Sequence, residues 1–140
     1  MDQPRSSPSR QWISSGSTFE RDAAYSRAVV HRDADGDTAY VSGTTGFDYR
    51  TMTLADDVTA QCRQTFDNLA AALAEASMTL DDVVRVTYIL PDPDDFPKCW
   101  PVLRERLGAA RPAATMFAAR LIDPRIKIEI EVTARRRSGA

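Results

Sequence analysis

Two stretches hold the residues with chemical potential in this 140-residue chain. In RPAATMFAARL (111–121), an arginine, a proline and two alanines open a run of strand formers. In IKIEIEVTAR (126–135), Lys127, Glu129 and Glu131 alternate with Ile126, Ile128, Ile130 and Val132. Period two puts the isoleucines and Val132 on one face of a strand and the lysine and both glutamates on the other. On that pattern alone Glu129 reads as a solvated carboxylate on an exposed strand face, while a glutamate that faces a cleft can hold a water and serve as a general base. The thiols and the imidazole offer less. Cys62 and Cys99 stand far apart without CxxC or Cys/His spacing, and the single histidine, His31, has no HxxH or HExxH companion, so no metal site is expected. Cys62 falls on the apolar side of a helical pattern and reads as core. Without a Gly-rich phosphate loop or a lysine in a Schiff-base setting, no cofactor is expected.

The elements that must position these residues follow from periodicity. QWISSGS (11–17) predicts a short edge strand or extended arm anchored by Trp12 and Ile13. AYSRAVVH (24–31) and TAYVSG (38–43), rich in β-branched and aromatic residues and joined by RDADGD, predict a β-hairpin. The segment LADDVTAQCRQTFDNLAAALAEAS (54–77) places Val58, Cys62, Thr65, Phe66, Leu69, Leu73 and Ala76 at steps of three and four. That is a long amphipathic helix with Asp56 and Asp57 in its first turn and Thr53 as N-cap. Ser77 stands where a left-handed residue, ordinarily glycine, would end it. Gln61, Asp67 and Asn68 lie on its polar side as structural or solvated groups. DDVVRVTYIL (81–90) suits a central strand covered on both faces. A second helix is expected over 96–107, regular only from Trp100 or Pro101 onward, because interior prolines forfeit hydrogen bonds. ATMFAARL and IKIEIEVTAR supply the last two strands. The order is β-β-α-β-α-β-β, an α+β fold with a mixed sheet and two helices on one face.

Length predicts one domain over residues 11–137, between a disordered tail at 1–10 and a short tail at 138–140. The 18 Lys+Arg and 20 Asp+Glu give a net charge of -2, and the only basic run is Arg135, Arg136 and Arg137 near the end. A nucleic-acid partner is therefore not expected. The polar opening MDQPRSSPSRQW contains no signal-peptide core or membrane span, so no membrane partner and a cytoplasmic location are expected. Two helices cover only one face of the sheet while several strands carry apolar residues on both, so the second face wants a partner.

Taken in order, AYSRAV, VSGTTGFD, DVTAQCRQTFDNLAAAL, DDVVRVTYIL with D and DF beyond it, and KIEIEVTAR resemble the RidA (YjgF) family of reactive-intermediate deaminases over residues 24–136. The resemblance implies a chorismate-mutase-like fold and a homotrimer with three ligand clefts between subunits. It also implies hydrolysis of imine or enamine intermediates to oxo acids and ammonia, with a small-molecule ligand and no cofactor. Residue by residue, the cleft tyrosine of the family corresponds to Tyr25. The family's SGQ corresponds to Ser42, Gly43 and Thr44, and the glutamate that positions water corresponds to Glu129.

The signature arginine of the family, which follows PA in PAR(S/T) and holds the substrate carboxylate, is missing. Here Pro112 and Ala113 are followed by Ala114 and Thr115, and a shift of one residue only substitutes another alanine. Arg111 precedes the proline and falls out of phase with the cleft side. The family's cleft asparagine corresponds to Trp100, which serves either as core packing or as an aromatic wall for a flat or apolar ligand. Arg27 has two readings. It shares a strand face with Tyr25 at i, i+2 and supplies a relocated cation, or it is an ion-pair residue at the surface or between subunits. Losing a charge-assisted contact to a desolvated carboxylate costs roughly 2–5 kcal/mol, so the resemblance implies shifted specificity. Three functions are weighed: an imine- or enamine-processing enzyme acting by hydrolysis, hydration or tautomerisation, a non-catalytic trimeric binder of small molecules, and an endoribonuclease. The acidic balance and lone histidine disfavour the last.

Overall fold

A computed structural model describes residues 6, 7 and 9–138. Of the expected tails, residues 1–5, 8, 139 and 140 lie outside the described residues. In chain order the elements are β1 (Ser6–Ser7), β2 (Arg10–Ile13), α1 (Thr18–Asp22), β3 (Ala28–Asp33), β4 (Gly36–Thr44), β5 (Phe47–Asp48), β6 (Thr53–Leu54), α2 (Val58–Glu75), β7 (Val83–Leu90), α3 (Phe96–Leu107), β8 (Ala113–Ala118) and β9 (Glu129–Arg137). Seven strands form one sheet in the order β1-β2-β3-β4-β9-β7-β8, and β5 and β6 form a separate ribbon. β8 runs parallel to β7 while the other neighbours in the sheet are antiparallel, so the sheet is mixed, as expected.

The β3–β4 hairpin forms where the sequence places it. Asp33 accepts from the amides of Asp35 and Gly36 at 2.9 and 3.1 Å and so folds the turn. A side chain at Gly36 is forbidden twice: φ is +156°, and a Cβ would lie 2.3 Å from the Arg136 carbonyl oxygen. Strand pairing also reaches back into the segment expected to be a tail, with Ser6 opposite Gln11 and Ser7 opposite Arg10. The short helix α1 has no counterpart in the predicted order. Five residues cannot show a helical period, and its local signal is Ser17, whose hydroxyl accepts from the Phe19 amide at 3.1 Å.

Both long helices differ from expectation at their starts. Asp57, rather than Thr53, caps α2, accepting from the Ala60 amide at 3.0 Å, because Thr53 is drawn into β6 opposite Asp48. At the other end Ser77 adopts φ 60° and ends the helix in the left-handed conformation. α3 is regular from Phe96, ahead of the expected Trp100. Pro97 lies in the first turn, where a missing N–H costs nothing, and Pro101 forfeits one bond in the next.

α2 and α3 pack on one face of the sheet. Val58, Cys62, Phe66, Leu69 and Leu73 of α2 meet Val30, Val41, Val86, Ile130 and Val132 in one buried core. β9 begins at Glu129, three residues later than its alternation suggests, for a reason located on the helix. Gln61, expected on the polar side of α2, is fully buried. Its amide nitrogen donates to the carbonyls of Ala55 (2.8 Å) and Arg125 (2.9 Å), and its oxygen accepts from the Lys127 amide (2.8 Å). A side chain thus satisfies the backbone that a sheet partner would otherwise satisfy. Asn68 does similar work, donating to the Thr45 and Phe47 carbonyls.

The opposite face of the sheet carries no helix. Tyr40, Arg85, Thr87, Glu131 and Thr133 surround a shallow depression of ≈ 230 Å³ there. Every residue of β8 is exposed, including Met116 and Phe117, and on β7 itself Val84 and Arg85 are exposed while Thr87 and Ile89 are half-buried, so that strand is not covered on both faces within one subunit. Among the described residues no helix is long and apolar enough to cross a membrane.

Candidate functional site

The predicted residues fall into two groups on one subunit. The first gathers where β3, β4 and β9 meet. The ladder continues past the formal start of β3, with the Arg27 amide donating to Ile13 O (2.8 Å) and the Ser42 amide to Arg27 O (2.9 Å). This fixes Tyr25, Ser26 and Arg27 against β4. The Ser42 hydroxyl donates to the Ser26 carbonyl at 2.6 Å and is therefore spent on the backbone.

Arg27 is the hub. Its side chain is 5% exposed. Nη1 donates to the Gly43 carbonyl (2.8 Å) and the Thr44 hydroxyl (2.9 Å), and Nη2 donates to the Tyr25 hydroxyl (3.3 Å). The guanidinium carbon lies 5.6 Å from the centre of the Tyr25 ring, a cation–π distance. The hydroxyl of Thr44, fully buried, donates in turn to the Ser42 carbonyl at 2.8 Å. Nε of Arg27 faces Glu20 at 3.5 Å. Neither reading of Arg27 describes this fully. It does sit with Tyr25, but it is paired inside its own subunit rather than at a surface.

Glu129 reaches the same corner through a register irregularity. Between Val41 and Thr44 the β4–β9 pairing shifts, a local disruption that re-aims side chains. Gly43 is left facing the Glu129 carboxylate: a Cβ there would lie 2.3 Å from Oε2. Burial raises the pKa of Glu129 above the ordinary carboxylate range, Arg27 works against that rise, and Glu131 adds to it. A half-buried carboxylate with a raised pKa is the kind of group that takes a proton from water efficiently.

Two members of the corner were not picked out from sequence. Tyr49 is raised in pKa by burial, with Arg27 opposing and Glu20, Tyr25 and Glu129 reinforcing, so its hydroxyl shares their electrostatic environment. Glu20, 4% exposed, is the carboxylate opposite Arg27. The available signal was Arg27 itself, since an arginine packed into a strand ladder requires a counter-charge.

The second group lies across the sheet. Trp100 is half-exposed on α3 and meets Phe96 edge-on at 6.2 Å, and Phe96 tilts against Tyr88 at 5.2 Å. Ala114 pairs with Val86 and Met116 with Tyr88, so these face the helix side, whereas Thr115 pairs with Thr87 and faces the open side. Ala114 and Thr115 therefore do not share a wall, as strict alternation requires. β7 lies between β8 and the β9 edge of the Arg27 corner. The thiols belong to neither group. Cys62 and Cys99 are buried between α2 and α3, where the neighbouring Cys99 thiol and burial push the Cys62 thiol up and hold it neutral.

Residues 16–136 match the family described as Endoribonuclease L-PSP. The chain is 32% identical over 111 residues to a RutC family protein of Pyrococcus horikoshii, covering 79% of this chain and 85% of that one. It is 30% identical over 105 residues to a 2-iminobutanoate/2-iminopropanoate deaminase of Salmonella typhimurium, covering 73% and 82%. A crystal structure of a YjgF/YER057c/UK114 family member from Mycobacterium tuberculosis superposes with a TM-score of 0.78 at 36% identity, over 90% of this chain and 98% of that one.

Proposed function

Because this chain belongs to the endoribonuclease L-PSP family, which includes the YjgF/UK114 and RidA proteins, we propose that it hydrolyses small imines or enamines in clefts between the subunits of a homotrimer. The observation that carries this reading is the seat of Glu129: a half-buried carboxylate with raised pKa, held against Gly43 beside Tyr25 and Arg27. In the reaction, Glu129 takes a proton from water as the oxygen adds to the C=N carbon. It returns the proton to nitrogen, and the carbinolamine collapses to a carbonyl compound and ammonia. Tyr25 lines the cleft. The second subunit contributes Trp100 and Ala114, a wall without the carboxylate-binding arginine, which favours substrates lacking the amino-acid carboxylate. The exposed β8 edge and the uncovered sheet face support the trimer.

A second reading, a binder that does not turn its ligand over, is favoured by the apolar character of Trp100, Phe96 and Met116. Ammonia release decides between them. Benzaldimine generated by an amine oxidase offers an imine without a carboxylate, and 2-iminobutanoate generated by an amino-acid oxidase offers one with it. The protein should accelerate release from benzaldimine, Glu129→Gln should lower that rate about 100-fold or more, and Ala114→Arg should improve 2-iminobutanoate. An unchanged rate in Glu129→Gln, or a solution mass of one 15.5 kDa subunit instead of three, overturns the proposal.

A further inference from the structure

Glu20 is a charged residue buried to 4% exposure, and its surroundings resemble a receptor for a carboxylate. The Ser14 hydroxyl donates to Oε1 at 3.0 Å, the Ser15 amide lies 3.2 and 3.3 Å from the two oxygens, and the Ser15 hydroxyl donates to Oε2. Arg27 closes the fourth side, with Nε 3.5 Å from Oε2. That Nε is the one buried side-chain nitrogen or oxygen among the described residues without an aligned hydrogen bond. Of the five guanidinium N–H groups, three already serve Gly43, Thr44 and Tyr25. The Nε group lies 3.5 Å from Glu20 Oε2 without an aligned hydrogen bond, and a single Nη2 proton is left.

A fork of two parallel N–H groups is what a guanidinium needs to hold a carboxylate, and the Nε that Arg27's remaining fork would use already has the Glu20 carboxylate beside it. We propose that Glu20 is a specificity-determining residue: its carboxylate occupies Arg27 from within the chain and turns the site against substrates that bring a carboxylate of their own. The corner then holds two carboxylates, Glu20 and Glu129, against one guanidinium. An incoming anion meets like charge and gains no partner, whereas a neutral imine or its protonated iminium meets no such opposition. This rests on the cleft reading above, because it takes the Arg27 corner as part of the ligand site. It adds an active exclusion to the missing arginine at Ala114.

The test reads binding rather than turnover, so a protein that released no ammonia would still decide it. Butanoate and butanamide, nearly equal in shape, are titrated into ¹⁵N-labelled protein while the amides of Gly43, Thr44 and Tyr25 are followed. The wild type should bind butanamide at least as tightly as butanoate. Glu20→Gln should tighten butanoate about tenfold or more, and Glu20→Gln/Arg27→Gln should lose that gain. A folded Glu20→Gln with no gain for butanoate overturns the proposal, as does a wild type that prefers butanoate. Should Glu20→Gln not fold, Arg27→Gln alone decides: butanoate binding no weaker than in the wild type upholds the exclusion, and weakened binding overturns it.

Discussion

A single methyl group at residue 43 tests the placement of Glu129 more sharply than removing the carboxylate. The Cβ of Gly43→Ala would stand 2.3 Å from Oε2 and 3.0 Å from Cδ of Glu129, so the carboxylate must retreat by roughly 1 Å to reach ordinary contact, a displacement that costs on the order of 100-fold in a positioned reaction. The backbone does not object, because the positive-φ glycines are Gly16 and Gly36 and not Gly43. The obstructing atoms are the far end of a flexible side chain, and alanine suits a strand better than glycine by about 0.5–1 kcal/mol. The fold should therefore keep its stability to within about 1 kcal/mol while benzaldimine hydrolysis falls about 100-fold. Urea denaturation and ammonia release measured on the same preparation separate the two effects. A stable Gly43→Ala protein with wild-type turnover would refute the assignment, since the water-holding carboxylate could not then be the one seated on Gly43.

Three further outcomes follow. The raised pKa of Glu129 places the acid limb of the pH–rate profile above the ordinary carboxylate value of 4.5, and Arg27→Gln, by removing the influence that lowers it, should move that limb higher still. Because the folded state favours the neutral acid, the stability Glu129 lends is complete at low pH and is lost as pH rises through its folded pKa. Glu129→Gln should accordingly raise the melting temperature at pH 7 and confer no advantage at pH 4, and a benefit that grows on acidification contradicts this. Gln61→Leu strands the Ala55 and Arg125 carbonyls and the Lys127 amide, and should cost about 3 kcal/mol or more in urea unfolding; a loss below about 1 kcal/mol would show that water replaces the side chain.

What could be read from the sequence was whatever repeats. The hairpin, the long helix, the continuous strand and the alternation of Ile128, Ile130 and Val132 all announce themselves by period. Each lands where its period puts it, apart from its ends. The ends depend on single competing contacts. Thr53 is lost as a cap to Asp48 across a two-residue ribbon, and the start of β9 is delayed by a glutamine on α2. Such contacts join residues far apart in sequence and leave no local trace. The site divides in the same way. Tyr25, Gly43 and Glu129 could be marked by motif, but the shift between Val41 and Thr44 that brings the last two into contact could not.

The resemblance covered residues 24–136, and it directed attention to a missing arginine at Ala114. The counter-charge that gives this loss its meaning lies outside that span. A motif comparison asks which side chain replaces the lost cation and finds Arg27 two residues from Tyr25. The buried geometry asks the prior question of what already neutralises Arg27, since a guanidinium at 5% exposure cannot stand unpaired. The answer is a glutamate on a five-residue helix, held by two serines whose short polar loop gives no periodic signal. In the proposed cleft, Ala114→Arg adds a cation on the far wall while the Glu20 and Glu129 carboxylates remain on the near one. Its gain toward 2-iminobutanoate should be smaller alone than in combination with Glu20→Gln. Equal gains in the single and double variants would mean that the two walls do not act on the same ligand.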